Sequence, residues 1–272
     1  MTPRILRIHH GDCLELLPRL PPARLIFADP PYNIGVDSGA GVKKDKLPDM
    51  QYLAWCARWM QACAERLTED GSLWVLIDNK HADYFGVMLR EARLYRQHWI
   101  IWYETFGSYR RNGFNRTSRH LFHCTKHPSR FVFHGEAVNC ASDRQSVYHD
   151  KRAHPGGKNW DDVWGVTRKD GSGAIPRVCG THKERIPEFP TQLPLALVRP
   201  IIACASDPGD LVIDPFCGSA TTGVAAAELG RSFIGIETQK RFVALAYQRL
   251  MRMRRKRNVQ DGLATGRTVG AS

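Results

Sequence analysis

The sequence predicts an α/β protein in which a mostly parallel sheet is flanked by helices. Short apolar runs, typical of buried strands, alternate along the chain with helical patterns of ten or more residues. Two of these runs end at an acidic residue followed by proline, at Asp29-Pro30 and at Asp214-Pro215. Because open α/β sheets bind ligands at the carboxyl ends of their strands, both positions are also candidate binding sites.

Length, charge and cysteine spacing narrow the class of protein. A chain of 272 residues can bury one α/β core and still carry an inserted subdomain. Lys and Arg number 39 against 27 Asp and Glu, a net charge of +12 that favours nucleic acid as partner, with a merely basic soluble protein as the alternative. The eight cysteines show no Cys-x-x-Cys spacing, and no apolar run is long enough for a membrane span or a signal segment. We therefore expect a cytoplasmic protein with reduced thiols.

The first half of the chain predicts alternating strands and helices. Asp12 is expected to cap the helix that follows it, and Asp70-Gly71 to end the long helix that precedes it. The aromatic residues of that long helix are predicted to lie in the core rather than on a base-stacking surface. The predicted strands cover residues 4–9, 24–28, 73–77, 97–103 and 120–125, and the predicted helices cover residues 13–20, 52–67 and 81–93.

The second half continues this alternation after an irregular stretch. A helix over 195–205 follows Pro194, and a second helix begins near Gly223, where Thr221 and Thr222 are expected to act as caps. The last helix ends in a run of arginines, which suit a helix C-terminus and also suit DNA contact. The predicted strands cover residues 211–213 and 232–236, and the last helix covers 239–257.

The tetrapeptide Asp29-Pro30-Pro31-Tyr32 is the candidate catalytic motif. It follows the apolar run 25–28, so it lies at the carboxyl end of a predicted strand. The prolines lack an N–H, which leaves nearby carbonyls available as acceptors, and Asp29 adds a charged acceptor. Together with the flat ring of Tyr32, these groups suit a planar base that carries an amino group. An ordinary turn is the alternative. The following loop, residues 33–50, is interpreted either as mobile, closing over a substrate, or as a plain solvated connection.

A second motif lies around Asp214. Small residues permit close approach of the backbone, and the following helix N-terminus suits an anionic ligand group. The next predicted strand ends in Glu237, about 20 residues beyond the small-residue loop, where an acid typically binds ribose hydroxyls. The candidate ligand-binding residues of this motif are Asp214, Phe216, Cys217, Gly218, Ser219, Thr221, Thr222 and Glu237.

Residues 105–190 interrupt the regular alternation. They contain fifteen Lys or Arg against eight Asp or Glu, and seven of the eleven histidines. Such a composition, interleaved with aromatics, is typical of a surface that grips phosphates and touches bases. The aromatic residues are Tyr109, Phe114, Tyr148, Trp160 and Trp164.

The same stretch contains four possible metal ligands, His120, His123, Cys124 and His127. A zinc site formed by them is disfavoured, because ligands at this spacing along a strand point to opposite faces.

Both motifs resemble those of the S-adenosylmethionine-dependent DNA amino-methyltransferases. In the circularly permuted beta group of that family, Asp-Pro-Pro-Tyr precedes the cofactor loop, and that loop reads Phe-x-Gly-x-Gly. Phe216 and Gly218 match the loop, whereas Ala220 replaces its second glycine. Leu193 departs from the family at a position where lysine is frequent. We interpret both departures as tuning cofactor affinity.

The resemblance, which spans roughly residues 4–250, implies a fold, a cofactor and a reaction. It implies a circularly permuted, Rossmann-like methyltransferase fold with a seven-stranded sheet. It also implies that S-adenosyl-L-methionine is bound with further contacts from Asp12, Cys13, Thr191 and Gln192. The implied reaction is methylation of adenine N6 in double-stranded DNA. Cytosine N4 methylation, methylation of RNA or of a protein glutamine, and a catalytically silent DNA-binding protein are the alternatives.

The same resemblance implies a division of the chain and a set of partners. Residues 1–125 form the catalytic half of the core and 189–257 form the cofactor-binding half. Residues 126–188 form an inserted target-recognition region, and 258–272 form a flexible tail. Relatives often form homodimers, and many act in restriction-modification beside a cognate restriction endonuclease, so both partners are predictions for this chain.

Overall fold

A central sheet of eight strands organises the molecule. The computed structural model describes residues 5–35, 46–104, 109, 111–169 and 171–264, with side chains described as far as residue 253. The strands in chain order are β1 (Leu6–His10), β2 (Ala23–Ala28), β3 (Leu67–Ile77), β4 (Tyr95–Tyr103), β5 (Ser118–Thr125), β6 (Asn139–Cys140), β7 (Lys158–Asn159), β8 (Val163–Trp164), β9 (Leu211–Asp214) and β10 (Ser232–Glu237). Strands β6 and β7 pair with each other in a separate small ribbon.

Helices cover both faces of this sheet. They are α1 (Cys13–Leu16), α2 (Asp49–Arg66), α3 (Ala82–Glu91), α4 (Asp143–Ser146), α5 (Leu195–Cys204), α6 (Thr221–Glu228) and α7 (Lys240–Ala264), and short 3-10 turns lie at Leu17–Arg19 and Gly135–Val138. Across the described part of the chain, none of these helices combines the length and the hydropathy that a membrane span requires.

The strand order confirms a mostly parallel, doubly wound sheet. It runs β1-β10-β9-β2-β3-β5-β4-β8, and among the described strands only β5 is antiparallel to its neighbours. The crossover from β9 leads to β10 on one side, and the crossover from β2 leads to β3 on the other. Because β9 and β2 are neighbours, their carboxyl ends flank a topological switch point. The pairing of β1 with β10 joins the first strand of the chain to the last, as circular permutation requires.

Alternating residues of the strands belong to two hydrophobic cores, one on each face of the sheet. Ile26 and Val75 face the core that α2 and α3 cover, whereas Phe27 and Trp74 face the core that α5, α6 and α7 cover. The aromatic residues of α2 confirm the prediction of a core role, since Tyr52 and Trp59 are buried. Both faces of the sheet are therefore covered, as expected for parallel strands.

The sequence predictions hold for the main elements but differ from the structure at several places. Asp70-Gly71 does not end α2, because β3 begins directly at Leu67 and contains both residues. Trp164 is not a base-contacting surface residue, since it is buried and packs 6.3 Å from Trp74 between ring centroids. The sheet has an eighth strand, the two-residue β8, beyond the seven expected. The last helix extends to Ala264, past its expected end near residue 257.

The described residues of the inserted region between β5 and α5 form short elements, and the region is anchored on the core. Trp102 Nε1 on β4 donates to the Ile175 carbonyl at 2.9 Å, and the Ile101 amide donates to the Asp162 carbonyl at 2.8 Å. The His134 amide donates to the carbonyl of Cys204 at 2.7 Å. The region is therefore fixed both to the edge of the sheet and to the end of α5.

Candidate active site

Three carboxylates lie at the carboxyl ends of three adjacent parallel strands. Asp29 follows β2, Asp214 ends β9, and Glu237 ends β10, so both sequence motifs reach the switch point. A cavity of about 750 Å³ opens there, within the size range of small-molecule sites. Asp29 and Glu237 both line it, together with most of the predicted site residues. The predicted residues that line the cavity are Asp29, Pro30, Pro31, Tyr32, Thr191, Gln192, Asp214, Phe216, Cys217, Gly218, Ser219, Thr221, Thr222 and Glu237.

Two predicted residues are not brought to this cavity. Asp12 caps α1 as predicted, since its carboxylate accepts a hydrogen bond from the Leu14 amide at 2.8 Å. Cys13 is buried in a hydrophobic core, where burial raises the pKa of its thiol to about 12. Neither residue lines the space that the other predicted cofactor contacts share.

Asp29 is partly buried and chemically tuned by its neighbours. Burial raises the pKa of its carboxyl group to about 6, while the hydroxyl of Tyr32 and the guanidinium of Arg119 act in the opposite direction. The Tyr32 hydroxyl donates a short hydrogen bond to Asp29 Oδ1. At neutral pH the carboxylate is therefore mainly ionised and available as an acceptor.

The two prolines of the motif differ in what their carbonyls do. The Pro31 carbonyl accepts a hydrogen bond from the Tyr52 hydroxyl on α2 at 2.7 Å. That bond fixes the turn after β2 and makes the Pro30 carbonyl the better candidate for holding a ligand amino group. Asp29 and Pro30 then provide two acceptors, which matches the two N–H bonds of such a group.

Arg119 on β5 is an important residue that sequence reasoning did not single out. Its guanidinium lies 4.9 Å from the centroid of the Tyr32 ring, a cation–π distance. It forms ion pairs with Asp78 and, at 3.0 Å, with Glu104. Arg177 of the inserted region pairs with the other oxygen of Glu104 at 3.1 Å. These side chains form a charged network that fixes one face of Tyr32.

The two acids of this network are buried, whereas the side chain of Arg177 is 39% exposed. The side chains of Asp78 and Glu104 are 5% and 6% exposed, so removal of one partner would leave a buried charge unpaired. Burial raises the pKa of Glu104, and the two arginines oppose that rise. The only signal in the sequence was the dense basic composition of 105–190, which gives no indication of which arginine turns inward.

The side chain of Asn33, directly after the catalytic motif, is hydrogen-bonded to the backbone just before α2. Both side-chain atoms of Asn33 bond the backbone of Leu47, with the amide donating to the carbonyl at 2.9 Å and the oxygen accepting from the N–H at 2.7 Å. Lys80 Nζ donates to the Asn33 carbonyl at 3.2 Å. The loop predicted to close over a substrate falls mainly on residues 36–45, which lie outside the described residues.

The loop after β9 is shaped by its own backbone. Gly218 has φ +47°, and a Cβ there would lie 2.7 Å from the ring of Phe189, so any other residue would be strained and would displace that ring. Its amide donates to Glu237 Oε2 at 3.2 Å, and the Gln239 amide donates to Oε1 at 2.8 Å. Glu237 therefore fixes the loop as well as lining the cavity.

Asp214 holds the same loop from its other side. One carboxylate oxygen accepts from the Phe216 amide at 3.0 Å and the other from the Thr222 hydroxyl at 2.6 Å. Burial, together with the nearby Asp29 and Glu237 charges, raises the pKa of Asp214 to about 7. Asp214 thus contributes mainly to the shape of the loop.

The start of α6 corrects one prediction. The N-cap is Ala220, and Thr221 and Thr222 lie within the first turn, so they are not caps. Ala220 has φ 57° and ψ 39°, the left-handed conformation in which a methyl group costs roughly 1–2 kcal/mol. Ala220 thus replaces the second glycine of the family motif at a position with positive φ. Its methyl group is therefore strained.

The segment before α5 closes the cavity. Gln192 is buried; its amide donates to the Glu184 carbonyl at 2.7 Å, and its oxygen accepts from the Ile186 N–H at 3.0 Å. Gln192 thus ties the inserted region to the core, while the neighbouring Thr191 is exposed. Further cavity-lining residues that the sequence did not indicate are Ile34, Lys46, Trp102, Arg185, Thr238 and Phe242.

Within the described residues, no group of three or more His, Cys, Asp or Glu side chains is arranged to hold a metal ion. His123, one member of the cluster considered above, stacks on Trp74 with ring centroids 4.2 Å apart. Burial lowers its pKa to about 3, which keeps the ring neutral.

Comparisons with known proteins agree with this geometry. A family model described as DNA methylase matches residues 23–248. DNA adenine methyltransferase YhdJ of Escherichia coli strain K12 is 30% identical over 257 residues, covering 89% of this chain and 82% of that protein. Type II methyltransferase M.HpaI of Haemophilus parainfluenzae is 31% identical over 227 residues, covering 83% of this chain and 67% of that protein.

Solved structures show the same fold. A putative DNA modification methylase from Thermus thermophilus, solved in complex with S-adenosyl-L-methionine, superposes with a TM-score of 0.63. It is 23% identical, and the alignment covers 92% of this chain and 96% of that one. The cytosine-N4-specific PvuII DNA methyltransferase gives a TM-score of 0.65 at 17% identity, covering 88% of this chain and 84% of that one. The fold is thus shared with both of these proteins.

Proposed function

The chain belongs to the DNA methylase family, and on that premise we propose that it transfers a methyl group from S-adenosyl-L-methionine to N6 of an adenine in double-stranded DNA. The observation that carries this proposal is the shared cavity at the switch point, which Asp29 and Glu237 enter from two neighbouring sides. A donor at the β9–β10 end can face an amino group at the β2 end. The relatedness to a DNA adenine methyltransferase across most of the chain supports the choice of base.

The residues at the β9–β10 end fit the cofactor. The backbone of the Gly218 loop and the N-terminus of α6 provide close approach and N–H donors, and the carboxylate of Glu237 suits ribose hydroxyls. Phe189 and Phe216 add apolar surface to the cavity. When bound, S-adenosyl-L-methionine supplies an electrophilic methyl group on a sulfonium. The protein's part is to hold that donor in a fixed orientation.

The residues at the β2 end would activate the acceptor. The lone pair of adenine N6 is delocalised into the ring, so the amino group is a poor nucleophile. Hydrogen bonds from its two protons to the Asp29 carboxylate and the Pro30 carbonyl would favour a pyramidal nitrogen. Ionised Asp29 would also stabilise the positive charge that this nitrogen acquires on methylation, until the nitrogen loses a proton to solvent. Alignment of the three reacting atoms contributes much of the remaining acceleration.

The adenine must leave the duplex to reach this site, at a cost of a few kcal/mol. The face of Tyr32 opposite Arg119 would stack on the extruded base. Because the Tyr32 hydroxyl bonds Asp29 in the structure, base binding would have to share or displace that hydrogen bond. The basic inserted region would grip the phosphates of the flanking DNA.

A direct assay tests the proposal. The protein is incubated with duplex DNA and isotopically labelled S-adenosylmethionine, and the DNA is digested to nucleosides. We expect label in N6-methyladenine. Label in N4-methylcytosine would contradict the choice of base alone, and cofactor binding without transfer to any DNA would contradict the enzymatic assignment.

Two partner predictions belong with this function. A homodimer is tested by the mass of the protein in solution, with and without DNA. A cognate restriction endonuclease is tested by asking whether DNA methylated by this protein resists cleavage in an extract of the source cells. A cytoplasmic location also remains a prediction, based on the scattered spacing of the cysteines.

A further inference from the structure

Ala220 is held in a conformation that alanine seldom adopts. It is fully buried at the junction between the loop after β9 and α6, with φ in the left-handed region. Such a conformation persists where the surrounding structure fixes it, and it is otherwise expected to relax. The neighbouring residues Ser219 and Thr221 line the cavity, so relaxation at Ala220 would alter the cavity wall.

Arg249 on α7 contacts the loop on both sides of Ala220. Its Nη1 donates to the Ser219 carbonyl at 3.0 Å, to the Ser219 hydroxyl at 3.2 Å and to the Thr221 hydroxyl at 2.9 Å. Thr221 in turn donates to the carbonyl of Leu193 at 3.2 Å. One guanidinium thus links α7, the loop and the segment before α5.

The position of Arg249 is unfavourable unless these bonds offset its burial. Burial lowers the pKa of the guanidinium, which means that the environment penalises its charge. An arginine that served only as a surface charge would not need to lie against this loop. The adjacent turn of the helix carries Arg252, which is exposed.

We propose that Arg249 is a positioning residue that holds the strained Ala220 turn in the shape required to bind S-adenosyl-L-methionine. The arginine and the alanine then form one unit. The guanidinium of Arg249 holds the turn that alanine disfavours, whereas a glycine at position 220 would adopt that turn without help. This inference rests on the proposed function, because it assumes that the cavity binds this cofactor.

Calorimetric titration of S-adenosylmethionine into four proteins tests the unit: wild type, Arg249→Met, Ala220→Gly, and the double variant. We expect Arg249→Met to weaken binding about tenfold, or about 1.4 kcal/mol. Ala220→Gly alone should change the dissociation constant by less than about twofold. The double variant should recover most of the lost affinity, because glycine adopts the turn without restraint.

Controls separate the possible failures. Arg252→Met, which removes an exposed charge from the same helix, should leave binding unchanged. If Arg249→Met does not fold, Arg249→Leu, which also removes every donor of the side chain, replaces it in the same cycle. Loss of affinity that Ala220→Gly does not reverse, or no loss at all, overturns the inference. A wild-type protein that fails to bind the cofactor overturns the proposed function instead.

Discussion

The two ends of the cavity are lined by different kinds of chemical group. At the β9–β10 end, the wall is a loop of small residues whose backbone and hydroxyl groups bond to Asp214 and Glu237 over short distances. At the β2 end, the wall is a network of long charged side chains from β5, from the ends of β3 and β4, and from the inserted region. The first end depends on local backbone shape and the second on the meeting of distant segments.

This difference suggests a division of labour. A wall built mainly from the backbone of one short loop leaves little to change by substitution, which suits a cofactor that is always the same. A wall of paired side chains can be changed by substitution, which suits a base and a DNA sequence that differ between relatives. Substitutions at the two ends should accordingly separate cofactor binding from base transfer.

The largest expected effect is that of Asp29→Ala at the β2 end. Removing the charged acceptor should lower the turnover number roughly 10³-fold, because the positive charge on the nitrogen is no longer stabilised. The dissociation constant of S-adenosylmethionine should stay within about threefold of wild type. Single-turnover transfer and calorimetry measure the two quantities. Substantial residual transfer would remove Asp29 from its assigned role.

Glu237→Ala should show the opposite pattern. We expect cofactor binding to weaken by about one to two orders of magnitude, as charge-assisted hydrogen bonds are lost. Turnover at saturating cofactor should change much less. Glu237→Gln, which keeps one carbonyl acceptor, should give an intermediate dissociation constant. An unchanged constant in the alanine variant would exclude this residue from the ribose site.

Arg119→Lys tests the charged network. Lysine cannot pair with Asp78 and Glu104 and also stack over Tyr32, so we expect about tenfold lower kcat/KM for DNA. Cofactor affinity should not change. Arg116→Lys is the matched control, because Arg116 lies 3.6 Å from the same aspartate but is exposed. Equal losses in both variants would indicate a general charge effect.

The smallest effect is expected for Tyr32→Phe, as a change in pH dependence. The tyrosine hydroxyl lowers the pKa of Asp29, so its removal should raise that pKa above about 6. Since the ionised carboxylate is the active form, the acidic limb of the kcat/KM profile should move to higher pH. A profile that stays in place or moves to lower pH would show that the hydroxyl does not tune Asp29.

The same contrast explains what the sequence could predict. Asp29 and Gly218 were found because each lies next to a strand end in a short, recognisable pattern. Arg119 was not, because one basic residue among the fifteen in 105–190 carries no local sign that it turns towards the cavity. The sequence allowed two uses for Asp12, because a carboxylate before a helix can cap that helix or reach a ligand; the structure confirms the cap, and the cofactor contact stays a prediction.

The bonds between Asn33 and Leu47 affect the position of Asp29. They fasten the two ends of the intervening stretch next to Asp29, so its base is set independently of what lies between. The position of the catalytic carboxylate is therefore set by contacts among residues on either side of 36–45, and substitutions at Asn33 should disturb it directly.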